Sequence, residues 1–162
     1  MRIHLGANYE GYPSAQLLRT RLDAEGHEVI WHAAPDYDDN DDYPAISIRT
    51  LQAVIADEDD GIESRGILVG GTGAGEVISA NKVNGARVVS ATAAEYVADA
   101  RTHADINALV IPTHHVDPGQ VDALVTALLD TAFSNGLDDA RRLVNVAEFE
   151  TGGTIEGWMI DQ

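Results

Sequence analysis

From Gly66 to Glu76 the chain reads Gly-Ile-Leu-Val-Gly-Gly-Thr-Gly-Ala-Gly-Glu. The apolar run Ile67 to Val69 predicts a buried strand, and the pattern restarts as a helix at Glu76. Between them, Gly70, Gly71, Thr72, Gly73, Ala74 and Gly75 let the backbone turn tightly and bring several N–H groups close to one bound group. A helix start just beyond adds a favourable end for negative charge. A strand, a glycine nest and a carboxylate in the first helical turn suggest an oxyanion-stabilising site with its own base. Taken alone, Glu76 is better explained as a first-turn glutamate stabilising a helix terminus.

The alternation extends through the chain. Apolar runs of four or five residues, read as strands near Arg2–Leu5, Glu28–Trp31, Gly66–Val69, Ala86–Val89 and Ala108–Ile111, are separated by longer amphipathic stretches. Helices are expected near Ser14–Glu25, Pro44–Asp57, Glu76–Lys82, Ala93–Thr102, from Pro118 onward and near Asp139–Glu150. Repeated βα units of this kind predict an α/β fold. The expected architecture is a three-layer, doubly wound (Rossmann-like) sheet of about five parallel strands with helices on both faces, binding ligands at the carboxyl ends of the strands. Residues 1–150 read as one domain and 151–162 as a loose or partner-draped tail. The helix face made by Val121, Leu124, Val125, Leu128 and Leu129 is a candidate surface for a partner.

Familiar nucleotide loops do not fit. A phosphate loop ends in Gly-Lys-Ser/Thr, whereas Gly75 is followed by Glu76 and Val77. A dinucleotide fingerprint sits on the first strand, whereas this loop follows the third. The formal charge of −17, with Lys82 the only lysine, argues against nucleic acid and repels anionic small molecules at long range. There is no cysteine, so no thiolate nucleophile or sulfur metal site exists. No stretch approaches a membrane span or a signal peptide, which predicts a cytoplasmic protein. Asp36-Tyr-Asp-Asp-Asn-Asp-Asp42 resembles the opening of a calcium loop, but Asp41 stands where glycine is needed and Ser47 where glutamate is needed. His114-His115, read as strand neighbours, would point to opposite faces, so no metal is expected.

Read on through Gly85, the loop Gly70-Gly-Thr-Gly-Ala-Gly-Glu-Val-Ile-Ser-Ala-Asn-Lys-Val-Asn-Gly85 resembles the signature of the ribose-5-phosphate isomerase B and galactose-6-phosphate isomerase family. Asp42-Tyr43-Pro44, Arg101-Thr-His-Ala-Asp-Ile-Asn107 and the Gly26-His27-Glu28-Val29 turn are similar to family motifs in the same order. Gly70 stands where many members carry a cysteine base, and Glu76 matches the actinobacterial branch in which that glutamate is the base. The resemblance implies an aldose–ketose isomerase, a homodimer with shared sites (a tetramer is the alternative), and no metal or organic cofactor.

Such chemistry moves a proton between neighbouring carbons through an enediolate. The resemblance assigns Glu76 as base, the N–H groups of Gly71, Gly73, Ala74 and Gly75 as oxyanion donors, and Thr72 as proton relay. His103 matches the ring-opening histidine, with a helix cap as its ordinary alternative, and Asn107 structures the same loop. Asn81 and Lys82 would orient the loop or touch ligand; Lys82 could equally face water. Departures from the family are equally specific. Its D-H-A-G after strand one is here Asn8-Tyr9-Glu10-Gly11, so Asn8 can hydrogen-bond a hydroxyl but cannot act as a base. His114 stands where G-G-R supplies a phosphate arginine, and Asp138 where R-H-x-x-R supplies another; only Arg142 stays in register. Three expectations follow: an isomerase of a sugar differing from ribose 5-phosphate, an isomerase of an unphosphorylated sugar, or a non-catalytic relative that binds a sugar or partners an intact subunit.

Overall fold

The short apolar runs do pair with one another. In the computed structural model, which describes residues 1–155, five strands form one sheet in the order β2-β1-β3-β5-β4, every neighbouring pair parallel. They are β1 (Arg2–Ala7), β2 (Glu28–Trp31), β3 (Ser64–Gly70), β4 (Val88–Ser90) and β5 (Ala108–Pro112). The helices are α1 (Tyr12–Ala24), α2 (Tyr43–Asp59), α3 (Ala74–Ala80), α4 (Ala94–Ala104), α5 (Val121–Asp130) and α6 (Leu137–Gly152). Pro118–Gln120 forms a short 3₁₀ turn ahead of α5 rather than its first turn, fastened by reciprocal bonds between Asp117 and Gln120.

β3 and β5 are buried along their length, which explains their unbroken apolar runs. On one face Ile3, Leu5, Ile67, Val69, Leu109 and Ile111 pack against α1, α4 and α5. On the other, Leu68, Val88 and Val110 pack against Leu51 and Val54 of α2 and Ala80 of α3. The expected partner surface on α5 is therefore overturned: Leu124, Val125 and Leu128 lie inside the chain's own core. The apolar face left in solvent belongs to α6, where Val144, Val146 and Phe149 are each more than half exposed. That helix has no buried residue and meets α4 along one edge. Thr151, expected to open the tail, still belongs to α6, which continues to Gly152; residues 156–162 lie outside the described part.

A polar network ties β1 to α2 beneath the sheet. His4 is nearly enclosed, with Nε2 2.8 Å from Asp57 Oδ2 and Nδ1 2.8 Å from Nε2 of His32. Arg2 donates to the other Asp57 oxygen at 2.7 Å. Burial pushes the Asp57 carboxyl upward, but bonds from His4 and Arg2 outweigh it and hold the group below the usual range. Burial, with His4 and Arg49 nearby, lowers the His32 imidazole to about 4, so it is neutral at neutral pH.

Candidate functional site

Chain direction decides where the glycine loop sits. The connection after β1 leads to β2 on one side, while the connection after β3 leads toward β4 on the other. The carboxyl ends of β1 and β3 therefore flank the point where the winding reverses, the place where open α/β sheets bind ligands. Gly70–Gly75 leaves β3 there, and Asn8–Gly11 leaves β1 beside it. The two segments are in contact, because a side chain on Gly11 would collide with the Val69 carbonyl. Asn8 is buried, and its Oδ1 accepts a bond from the Gly11 N–H at 3.1 Å, so its amide shapes this turn.

The glycines are required by what lies against them. A Cβ on Gly70 would strike the Glu76 carboxylate, one on Gly71 the Glu10 carboxyl, and one on Gly75 the ring of Tyr43. Gly73 has φ of 76° and caps α3, so the helix opens at Ala74, two residues earlier than expected. Glu76 is thus within the first turn, with its side chain folded back over Gly70 and only 4% of the residue exposed. Burial pushes its carboxyl above the ordinary range; a bond from its own N–H opposes this, and the charges of Glu10 and Asp42 add to the rise. Thr72 stands exposed at the loop crest, its hydroxyl 3.4 Å from the Ala74 N–H.

Around this cradle the structure gathers Tyr43, Glu10 and His114, with Tyr9 exposed next to Glu10 in the turn after β1. His114 is not in a strand, contrary to the expectation that it and His115 face opposite sides; both follow β5 in an exposed turn, with rings 6.4 Å apart. The His114 N–H donates to the Gly71 carbonyl at 3.0 Å, and its Nε2 lies 3.1 Å from Glu10 Oε1. Sequence reasoning missed Glu10 and Tyr43 as site residues, although Tyr43 sits in the Asp42-Tyr43-Pro44 motif. Nothing in the sequence places Tyr43 against Gly75 or Glu10 against Gly71, since each contact joins segments far apart in the chain. Asp42 also serves locally, its carboxylate accepting the Tyr43 N–H at 2.8 Å as α2 begins.

Other expected residues lie elsewhere in the same chain. α4 runs from the carboxyl edge of the sheet to the opposite edge, carrying His103 at its far end, and the Ser134 N–H bonds to Thr102 there. His103 Nδ1 lies 2.9 Å from Asp139 Oδ2, and Arg142 donates to the other Asp139 oxygen at 2.8 Å. One carboxylate holds both basic side chains, while Asp138 faces solvent beside Arg141. Asn107, buried ahead of β5, accepts the Arg87 N–H and donates to Glu58 and Gly85. Asn81 grips both backbone groups of Val88 and also donates to Val77, fixing α3 to β4. A single chain therefore brings Glu76, Thr72, the loop glycines, Asn8, Tyr9 and His114 together, and leaves His103, Asn107, Asp138 and Arg142 at the opposite edge. Asn81 has its side chain occupied by backbone, and Asn107 by backbone and the Glu58 carboxylate. Among the described residues no cluster of three or more His, Asp or Glu converges to hold a metal, and no helix is long and apolar enough to cross a membrane.

Fold and site together define a doubly wound α/β protein whose enclosed carboxylate and glycine nest occupy the switch point. Residues 3–146 match the Ribose/Galactose Isomerase family, and the chain belongs to it. It is 37% identical over 150 residues to ribose-5-phosphate isomerase B of Mycobacterium tuberculosis, covering 93% of this chain and 90% of that one. It is 33% identical over 109 residues to the putative sugar phosphate isomerase YwlF of Bacillus subtilis, covering 67% and 70%. The solved structure of ribose-5-phosphate isomerase B of Clostridium thermocellum superposes with a TM-score of 0.84 at 30% identity, covering 95% of this chain and all of that one.

Proposed function

We propose that the chain is an aldose–ketose isomerase working through an enediolate, with Glu76 as the carbon base. The observation that carries this reading is the enclosed Glu76 carboxyl lying on Gly70, beside a nest of N–H donors, with its proton affinity raised. The ionised carboxylate takes the proton from the carbon next to the carbonyl. Electrons move onto the carbonyl oxygen, which faces the N–H groups of the Gly71–Gly75 loop. The Thr72 hydroxyl passes a proton between the two oxygens, and Glu76 returns its proton to the neighbouring carbon. Family membership and the names of the relatives support this class of reaction.

His103 and Arg142 lie too far round the fold to serve the same chain's Glu76. We infer that a two-fold partner brings them, so that each site is built from two subunits and ring opening is done by the partner's histidine. The substrate differs from ribose 5-phosphate, because His114 and Asp138 stand where the resemblance expects phosphate arginines. A second reading, a sugar-binding relative without turnover, is favoured by one observation: Asn8 spends its amide on the Gly11 turn and cannot replace the missing acid.

Glu76→Gln distinguishes them. The variant should fold yet lose at least a thousandfold in kcat, about 4 kcal/mol, on whichever aldose or ketose of four to six carbons the wild type converts. Solvent deuterium should enter the substrate carbon during wild-type turnover. Full activity in the glutamine variant removes Glu76 from the mechanism. Sugar binding by the wild type with no turnover favours the non-catalytic relative.

A further inference from the structure

We propose that Glu10 determines specificity at this site, selecting an unphosphorylated aldose or ketose over the corresponding phosphate ester. The inference rests on the isomerase reading above and adds to it the substrate class and the residue that enforces it.

Glu76 and Glu10 lie over consecutive α-carbons, Gly70 and Gly71, which are about 3.8 Å apart along any trans chain. The two carboxyl groups therefore share one cradle, and each has its place only because the residue beneath it lacks a Cβ. Glu10 is held from the other side by Nε2 of His114 at 3.1 Å, while the His114 backbone bonds to the Gly71 carbonyl at 3.0 Å. His114, Glu10 and Gly71 form a closed set of contacts at the mouth of the nest. Their side chains are 51% and 31% exposed for His114 and Glu10, so both can face a ligand.

His114 is the cation-capable side chain that the structure brings to Gly71, and a carboxylate already occupies it. A phosphate dianion arriving here would have to displace Glu10 and then remain beside it, in a field set by a formal charge of −17. The basic side chains that a two-fold partner would contribute are occupied in the same way, since Asp139 holds both His103 and Arg142. Lys82 gives no relief: α3 carries it away from the nest. A carboxylate with free acceptor positions, backed by an imidazole, suits hydroxyl donors instead. The site is built to accept hydrogen bonds from a neutral polyol.

Glu10→Gln keeps the size of the side chain and removes its charge. Two measurements test the proposal: kcat/KM for ribose 5-phosphate against free aldoses and ketoses of four to six carbons, and the calorimetric Kd of ribose 5-phosphate in a Glu76→Gln background. Wild type should use a free sugar in preference to ribose 5-phosphate. Glu10→Gln should shift the phosphate-to-free ratio of kcat/KM toward the phosphate at least tenfold. Added to Glu76→Gln, it should tighten the ribose 5-phosphate Kd at least tenfold, a gain that shrinks in high salt because screening already weakens the repulsion. An unchanged ratio together with an unchanged Kd overturns the proposal, as does a wild type that turns over ribose 5-phosphate at about 10⁴ M⁻¹s⁻¹ or better and ignores free sugars. The Kd comparison needs no turnover, so it decides the role of Glu10 even if Glu76→Gln remains active and the base assignment falls. Should the glutamine variant misfold, Glu10→Ala supports the same comparison.

Discussion

Glu76 illustrates how a single position acquires its chemistry from its surroundings. An ordinary glutamate is too weak a base for carbon acids; in the proposed role Glu76 is helped by the enclosure of its carboxyl and by Glu10 and Asp42 nearby, which raise its proton affinity. The sign of the resulting pH dependence is fixed. A carbon base must be ionised, and its pKa is raised, so kcat/KM should fall with decreasing pH along a limb centred above 4.5, the ordinary value for this group. Glu10→Gln should move that limb downward, because one of the charges opposing ionisation is removed. A pH–rate profile on both proteins checks this; a limb at or below the ordinary carboxylate value in the wild type would contradict it. The proposed base was legible in the sequence as a first-turn carboxylate after a glycine loop and through the family resemblance. Its burial was not, because Tyr43, Glu10 and Asp42 come from segments more than thirty residues away.

Elements were easier to read than contacts. The four residues of β2 stand where the apolar pattern put them, and the ends of α1, α2 and α4 fall within two residues of expectation. β4 is displaced to Val88–Ser90 because the backbone ahead of it is still turning: Ala86 N–H bonds to Val83, and Gly85 has φ of 83°. α3 shows what holds a seven-residue helix in place, since one this short has little stability of its own. Its far end is gripped by Asn81, which bonds both backbone groups of Val88. Asn81→Ala should therefore cost about 1–3 kcal/mol in urea-induced unfolding, with turnover falling as α3 loosens under Glu76. Unchanged stability combined with a large rise in KM would show instead that Asn81 acts on the ligand.

At the scale of the whole molecule, the informative feature is what the chain leaves unpartnered. α6 keeps Val144, Val146 and Phe149 in solvent, with an apolar groove of about 590 Å³ beside it lined by residues of β4, the loop ahead of β5 and the helix itself. Such a face invites a symmetric partner, and the proposed roles of His103 and Arg142, which lie apart from Glu76 in one chain, require one. Light scattering at micromolar concentration should find a two-fold dimer. Val146→Glu with Phe149→Ser should yield a folded monomer with at least a hundredfold less activity. A fully active monomer would remove the shared site. The sequence by itself determined the repeating βα order, the parallel sheet and the glycine loop of the proposed site, because strand and helix periodicities and glycine's freedom are local properties. Tertiary structure alone decided that α5 is core and α6 is surface, that Asn81 and Asn107 serve the backbone, and that Glu10 lies on His114. Those outcomes depend on which distant segments meet once β1 and β3 lie side by side, and no local pattern records that meeting.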